Sequence, residues 1–496
     1  MLVASTGPQK GRSPVLRARS LVLLTLLFLA LPVAAQAGDF LEEHPEVRDA
    51  VTLLDLWIQE QMAYQQIPGL SVGVVYDQEV IWSKGYGVED LESQDPVTPA
   101  TLFRLGSVTK LFTATAILQL RDQGKLRLDD PVAQHLPWFE LQSSFEGAPE
   151  ITLRHLLTHT AGLPREAAFP YWTTHEFPTS EEINAALRTQ SAIYPPDKTY
   201  KYSNLGMALL GEVVVAASGQ TYADYIEQHI FEPLGMTHSA VVPAAEDRQQ
   251  MATAYMRRQP DGNREVMDYY ETKGMAPAAN IVSSVDDLAR FGALHLQAAP
   301  DSGAGEVVKA STLHEMQRPH WVYSNWSGGR GLGFGISRRD DKTLVSHGGW
   351  IGGNRTHFLL APGDDLAIIA MVNADDATPY QFSFQALDLV GAAIAESTAP
   401  PPTISRVDPG WQRYLGVYTD PWGWEYQVMI LEDGLVLYSH NYPPEDNVAE
   451  GITRLEPVEG DTFKMSDGEL VVFNMDDEGH VERIQRRYDF LYPVVR

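Results

Sequence analysis

Phe103-Arg104-Leu105-Gly106-Ser107-Val108-Thr109-Lys110 combines an apolar approach, a glycine and the only S-x-x-K of the 496-residue sequence. From Ser107 to about Asp122 the spacing predicts a helix, with Leu111, Ala114 and Leu118 on one face and Gly124 as its stop. Ser107 and Lys110 then share a helix face, with Cβ atoms about 5–6 Å apart, so the amine reaches the hydroxyl. A serine hydroxyl attacks a carbonyl only once a neighbouring base takes its proton, and a partly buried lysine is lowered toward that role. The Ser107 N–H, at the helix start, points to where an oxyanion would form. Taken alone, the tetrapeptide fits an N-cap serine and a solvated first-turn lysine better than a nucleophile.

Two further elements change that balance. Tyr202-Ser203-Asn204 supplies a phenol and an amide immediately before the helical run Leu205–Val215. A second Tyr-x-Asn, Tyr323-Ser324-Asn325, lies in a Gly- and aromatic-rich loop and reads as coincidence. His347-Gly348-Gly349-Trp350 follows the predicted strand Thr343–Ser346. Glycines there let a substrate backbone approach the strand edge, and the Trp350 N–H is the second candidate oxyanion donor. A strand-ending turn explains the same tetrapeptide equally well.

In this order the three elements resemble the serine β-lactamase and penicillin-binding-protein superfamily, in particular its class C β-lactamase-related branch of D-alanyl-D-alanine carboxypeptidases, D-aminopeptidases and esterases. The likeness covers about residues 45 to 397 and includes Leu156-Leu157-Thr158-His159-Thr160-Ala161-Gly162-Leu163-Pro164 and Pro233-Leu234-Gly235-Met236. It implies an α/β fold: an antiparallel sheet flanked by helices with a helical subdomain. It also implies Ser107 as the acylated nucleophile, Lys110 as its proton partner and Tyr202 in proton exchange with nucleophile and leaving group. Asn204 would orient Lys110 and the substrate amide, and His347 would stand where typical β-lactamases carry the lysine of Lys-Thr-Gly. Whether Lys110 or Tyr202 is the general base stays open. Histidine is mostly neutral near pH 7 where lysine is a cation. The substitution therefore leans toward peptide or ester substrates over efficient β-lactam hydrolysis, with Arg355 as either a carboxylate anchor or a structural residue.

Other motifs weigh less. Gly69-Leu70-Ser71-Val72-Gly73 matches a nucleophile elbow, but Ser71 sits in a strand entering a hairpin, not between strand and helix. His155 and His159 lack the Glu of H-E-x-x-H and a third ligand, so they read as structural. No phosphate-binding glycine loop is present. The expectation is therefore an enzyme with no cofactor and no metal.

Composition bounds the remainder. With 44% apolar residues the chain is globular, and its length predicts more than one domain. The net charge of −28 argues against nucleic acid or anionic lipid as a partner. The absence of cysteine excludes disulfides, a thiol nucleophile and thiolate metal sites. Residues 1–37 read as a signal peptide, with Lys10, Arg12, Arg17 and Arg19 before the apolar run Leu21–Ala35 and small residues at Ala35-Gln36-Ala37. They predict an exported protein, periplasmic or secreted, with membrane contact only if this segment stays as an anchor. Strands on both sides of a helical middle require the two ends of residues 45–397 to meet in one sheet. Residues 398–404 form a Pro-rich linker. The region 405–496, with turns at Asp433-Gly434, Glu459-Gly460, Asp467-Gly468 and Glu478-Gly479, reads as a separate antiparallel sheet or small barrel, and it resembles the small lipocalin-like appendage that some members of that superfamily carry. The expected function is a serine hydrolase acting on a small-molecule or peptide substrate with an amide or ester carbonyl. The alternative is a penicillin-binding sensor or scaffold that acylates with little turnover.

Overall fold

The computed structural model describes residues 40–296, 307–398, 408–431, 434–440 and 451–494. The segment expected to be a signal peptide and most of the expected linker lie outside them. Two compact units divide the chain between Ser397 and Thr398.

In the first unit the N-terminal hairpin pairs β1 (Gly69–Tyr76) with β2 (Glu79–Gly87) through the turn residues Asp77 and Gln78, both left-handed. Five strands return late in the chain: β3 (Gly328–Arg330), β4 (Gly335–Arg339), β5 (Lys342–Ile351), β6 (Asn354–Ala361) and β7 (Leu366–Val372). The two groups meet where Leu70 lies opposite Val372 and Tyr76 opposite Leu366. One antiparallel sheet thus runs β2-β1-β7-β6-β5-β4-β3, with a two-residue strand, Trp321–Val322, beyond β3.

Both faces of the sheet are covered, which is why β7 reads as an unbroken apolar run. Alternation assigns Ala367, Ile369 and Met371 to one core and Leu366, Ile368, Ala370 and Val372 to the other. The second core is closed by α1 (Pro45–Gln65) through Val47, Leu54 and Ile58. On the opposite face pack α2 (Thr109–Asp122), α3 (Asn204–Ser218) and α4 (Val285–His295). Each fully buried Leu, Ile or Phe contributes about 1.5–3 kcal/mol, so the two cores hold the sheet rigidly.

Three local expectations are corrected. The helix predicted from Ser107 begins as a 3₁₀ turn, Gly106–Val108, and becomes α-helical at Thr109. It is not amphipathic: every residue from Thr109 to Leu120 is buried, because neighbours pack on all sides. His347-Gly348-Gly349-Trp350 do not follow a strand but lie inside β5, whose turn comes later, at Gly352-Gly353.

The second unit is an antiparallel sheet of nine strands among its described residues, from Gly416–Thr419 to Asp489–Pro493, which pair with each other. Its edge strands, Ile452–Arg454 and Glu456–Glu459, are consecutive around Leu455, so the sheet is a nearly closed barrel. Tyr414, Phe463, Phe473 and Ile484 fill it. Turns at Gly460, Gly468 and Gly479 fall between strands as the sequence predicts.

Candidate active site

Of residues 101–120, Ser107 alone is not fully buried. The backbone geometry around it explains this. Gly106 adopts φ +52°, and a side chain there would strike the Trp350 backbone at 2.7 Å. A Cβ on Gly349 would lie 1.9 Å from the Leu105 carbonyl oxygen. The glycines predicted to admit a substrate backbone therefore do different work: Gly349 admits the chain's own Leu105, and Gly348 remains open to the cleft. This close approach sets Ser107 beside the β5 edge. In the hairpin Ile351 pairs with Asn354 across a two-residue turn, so by antiparallel alternation the Trp350 N–H points away from β6, toward the Ser107 turn. Gly349→Ala is expected to cost about 3 kcal/mol or more, seen as a lowered midpoint in thermal unfolding.

The Lys110 amine donates to Ser107 Oγ at 3.1 Å and to the Ala278 carbonyl at 2.7 Å. Its exposure is 0%, and that desolvation holds its pKa well below the ordinary lysine value. Glu166 opposes the shift, whereas Arg165 and Arg330 add to it. Tyr202 moves the other way: burial pushes its phenol up to about 12, partly offset by the Ser107 hydroxyl it faces. The site thus sets an amine whose charged form burial disfavours and a protonated phenol against one hydroxyl.

Tyr202 is positioned by the segment after the helix Leu153–Leu157. The His159 ring lies 4.4 Å from the Tyr202 ring, and His159 Nδ1 accepts the Ser203 N–H. Ser203 caps α3 by accepting from the Gly206 N–H and donates to the Pro164 carbonyl. His159 is thus structural as expected, but at the site. His155 pairs instead with Asp197 at 2.9 Å. No cluster of metal-ligating residues occurs among the described residues. Ser71 is buried inside β1, and Tyr323 packs against Tyr200.

Asn204 departs from its implied role. Its amide NH₂ donates to Glu166 at 2.8 Å, and its carbonyl oxygen, buried in the cleft wall, has no protein partner, so it does not hold Lys110. Glu166 also accepts from Tyr171 and pairs with Arg165. His347 Nδ1 donates to the Gly348 carbonyl while buried Nε2 is unpartnered. Desolvation and the nearby Arg330 hold His347 well below the ordinary histidine pKa, so it is neutral. Arg355 lines the cleft while its Nε donates to the Asp375 carbonyl.

These residues line a cleft of about 830 Å³. The sequence reading missed Arg165, Glu166, Trp172, Tyr200 and Arg330. The first two directly follow the conspicuous Leu156–Pro164 stretch, a signal within reach, whereas no spacing marks Trp172 or Arg330. Arg330 is 8% exposed, its Nε and one Nη lack partners, and it sits over the Tyr200 ring at 5.3 Å.

Residues 54–391 match the family model described as Beta-lactamase. The chain is 26% identical over 334 residues to Protein flp of Staphylococcus aureus (strain MW2), covering 66% of this chain and 63% of that protein. It is 29% identical over 298 residues to Beta-lactamase-like protein 2 of Dictyostelium discoideum, covering 59% and 53%. These matches span less than two thirds of the relatives' own length. Among solved structures, the octameric penicillin-binding protein homologue from Pyrococcus abyssi superposes with a TM-score of 0.62 at 26% identity, covering 89% of this chain and 99% of that one. A crystal structure of SurE, at 24% identity and a TM-score of 0.58, shares the fold.

Proposed function

As the chain belongs to the beta-lactamase family, we propose that it is a serine hydrolase in which Ser107 attacks an amide or ester carbonyl and forms an acyl-enzyme. The observation that carries this reading is the 3.1 Å contact between Ser107 Oγ and a fully buried Lys110 amine. Burial disfavours the charged amine, which suits Lys110 to take the hydroxyl proton as general base. Tyr202, protonated, relays a proton to the leaving group. The N–H groups of Ser107 and Trp350 hold the oxyanion, and water then releases the acyl group. Asn204 offers its free carbonyl oxygen to a donor on the substrate. Neutral His347 supplies no cation for a carboxylate, which favours peptides or esters over efficient β-lactam hydrolysis. Export follows from the leader at residues 1–37, and the N-terminal sequence of the secreted protein tests it.

The deciding experiment incubates the protein with D-amino-acid peptides, short-chain esters and nitrocefin, and follows both acylation of Ser107 and release of product. Acylation with negligible release would make it a covalent binder instead. Lys110→Met should slow acylation by about 10²–10⁴-fold. Lys110→Arg should do no better, since a guanidinium stays protonated. An unchanged labelling rate in either variant refutes the role of Lys110.

A further inference from the structure

We propose that Trp172 and Trp350 form an aromatic bar across one end of the cleft that restricts the substrate to short acyl groups, an inference resting on Ser107 as the nucleophile. The two indoles come from different elements, Trp172 from the helical segment Tyr171–Thr174 and Trp350 from β5, and meet with ring centroids 5.7 Å apart. Both line the cleft. Trp350 is 43% exposed, so core packing does not account for so large an apolar side chain there.

Neither ring is free to swing aside. The Trp350 indole N–H donates to Asp375. Trp172 is wedged between Tyr171, at 5.6 Å, and Phe177, at 5.3 Å. Phe177 in turn stacks on Tyr270 at 5.5 Å, and Tyr270 abuts Gly352 at the hairpin turn. The aromatic contacts are therefore continuous from the helical segment to the tip of the β5–β6 hairpin.

The position of the bar selects which part of the substrate it meets. Tyr202 and His347 stand together, with ring centroids 6.3 Å apart, and Tyr202 serves the leaving group. Trp350 lies three residues beyond His347 on the strand, about 10 Å from it, and since its own N–H is the oxyanion donor beside Ser107, its indole stands next to the reacting carbonyl on the side away from His347. An acyl chain running along β5 from the Ser107 carbonyl, away from the leaving group, ends against the indoles. A short acyl group packs on the ring faces, whereas a longer one must part the pair, losing its stacking and its packing on Phe177.

The test compares kcat/KM for p-nitrophenyl acetate, butyrate and octanoate in the wild type, Trp172→Ala and Trp172→Phe. The wild type should decline from acetate to octanoate. Trp172→Ala should raise the octanoate-to-acetate ratio at least fivefold, with Trp172→Phe between. A smaller change in Trp172→Ala, or a wild type that prefers octanoate, overturns the proposal. Labelling of Ser107 by a small fluorophosphonate reports that the site is assembled in each variant, and Trp172→Phe alone decides if the alanine variant fails to fold. Ester hydrolysis that survives Ser107→Ala would instead defeat the underlying assignment of the nucleophile, and the bar with it.

Discussion

Ser107→Ala is expected to abolish covalent labelling by fluorophosphonate or penicillin probes and to lower turnover of any accepted substrate by about 10⁴-fold or more. The size of the effect follows from the division of labour. In the proposed mechanism Lys110 and Tyr202 act through the Ser107 hydroxyl, so its removal leaves both without a proton to move, and only the oxyanion donors and substrate binding remain. The fold should be unaffected. Ser107 alone is open to solvent in a buried stretch, and Lys110 keeps its hydrogen bond to Ala278. Intact-mass spectrometry of probe-treated protein, paired with thermal unfolding of the variant, checks both halves. Labelling retained in a folded Ser107→Ala protein would place the nucleophile elsewhere.

Stability should fall steeply below about pH 6. His159, His295, His347 and His357 are all buried, and burial lowers each: His295 to about 3, His357 to about 4, and the other two well below the ordinary value, with Arg330 adding to the shift of each of these. Unfolded, each takes a proton near pH 6.5. Between that value and the folded pKa the unfolded chain therefore binds more protons than the native one. The sign is fixed: stability is fully present above pH 6.5 and is lost as pH falls through it. His295 and His357 each contribute about 1.4 kcal/mol per pH unit between pH 6.5 and their folded values, and His159 and His347 add in the same direction. Urea unfolding at pH 7, 6 and 5 measures this directly. A flat profile would mean that these histidines titrate normally in the native protein. His295→Leu, away from the catalytic residues and ringed by Phe291, Phe334 and Phe358, should reduce the slope by about 1.4 kcal/mol per pH unit.

Much of this architecture is legible in local patterns. Apolar runs at Leu70–Tyr76 and Leu366–Val372 announce strands, and Thr179 with Glu182 announces a helix start that the reciprocal cap realises. Ser107 and Lys110 lie three residues apart, and a helical turn brings any such pair together whatever surrounds it. Where local reading fails, contact between distant segments is the cause. His347–Trp350 look like the end of a strand because glycines weaken strand propensity. Packing of Leu105 against Gly349 and pairing with β6 override that propensity. Asn204 looks like a partner for Lys110, but Glu166, brought in by the loop after Pro164, takes its amide.

The sequence by itself determined the meeting of both chain ends in one sheet and the pairing of Ser107 with Lys110, because these follow from periodicity and spacing along the backbone. Only the tertiary structure decided the direction in which burial shifts Lys110, Tyr202 and His347, the attachment of Asn204 and the meeting of Trp172 with Trp350. A charge state depends on how much water and which charges surround a group, and a wall depends on which surfaces meet, so neither is a property of neighbouring residues in the chain.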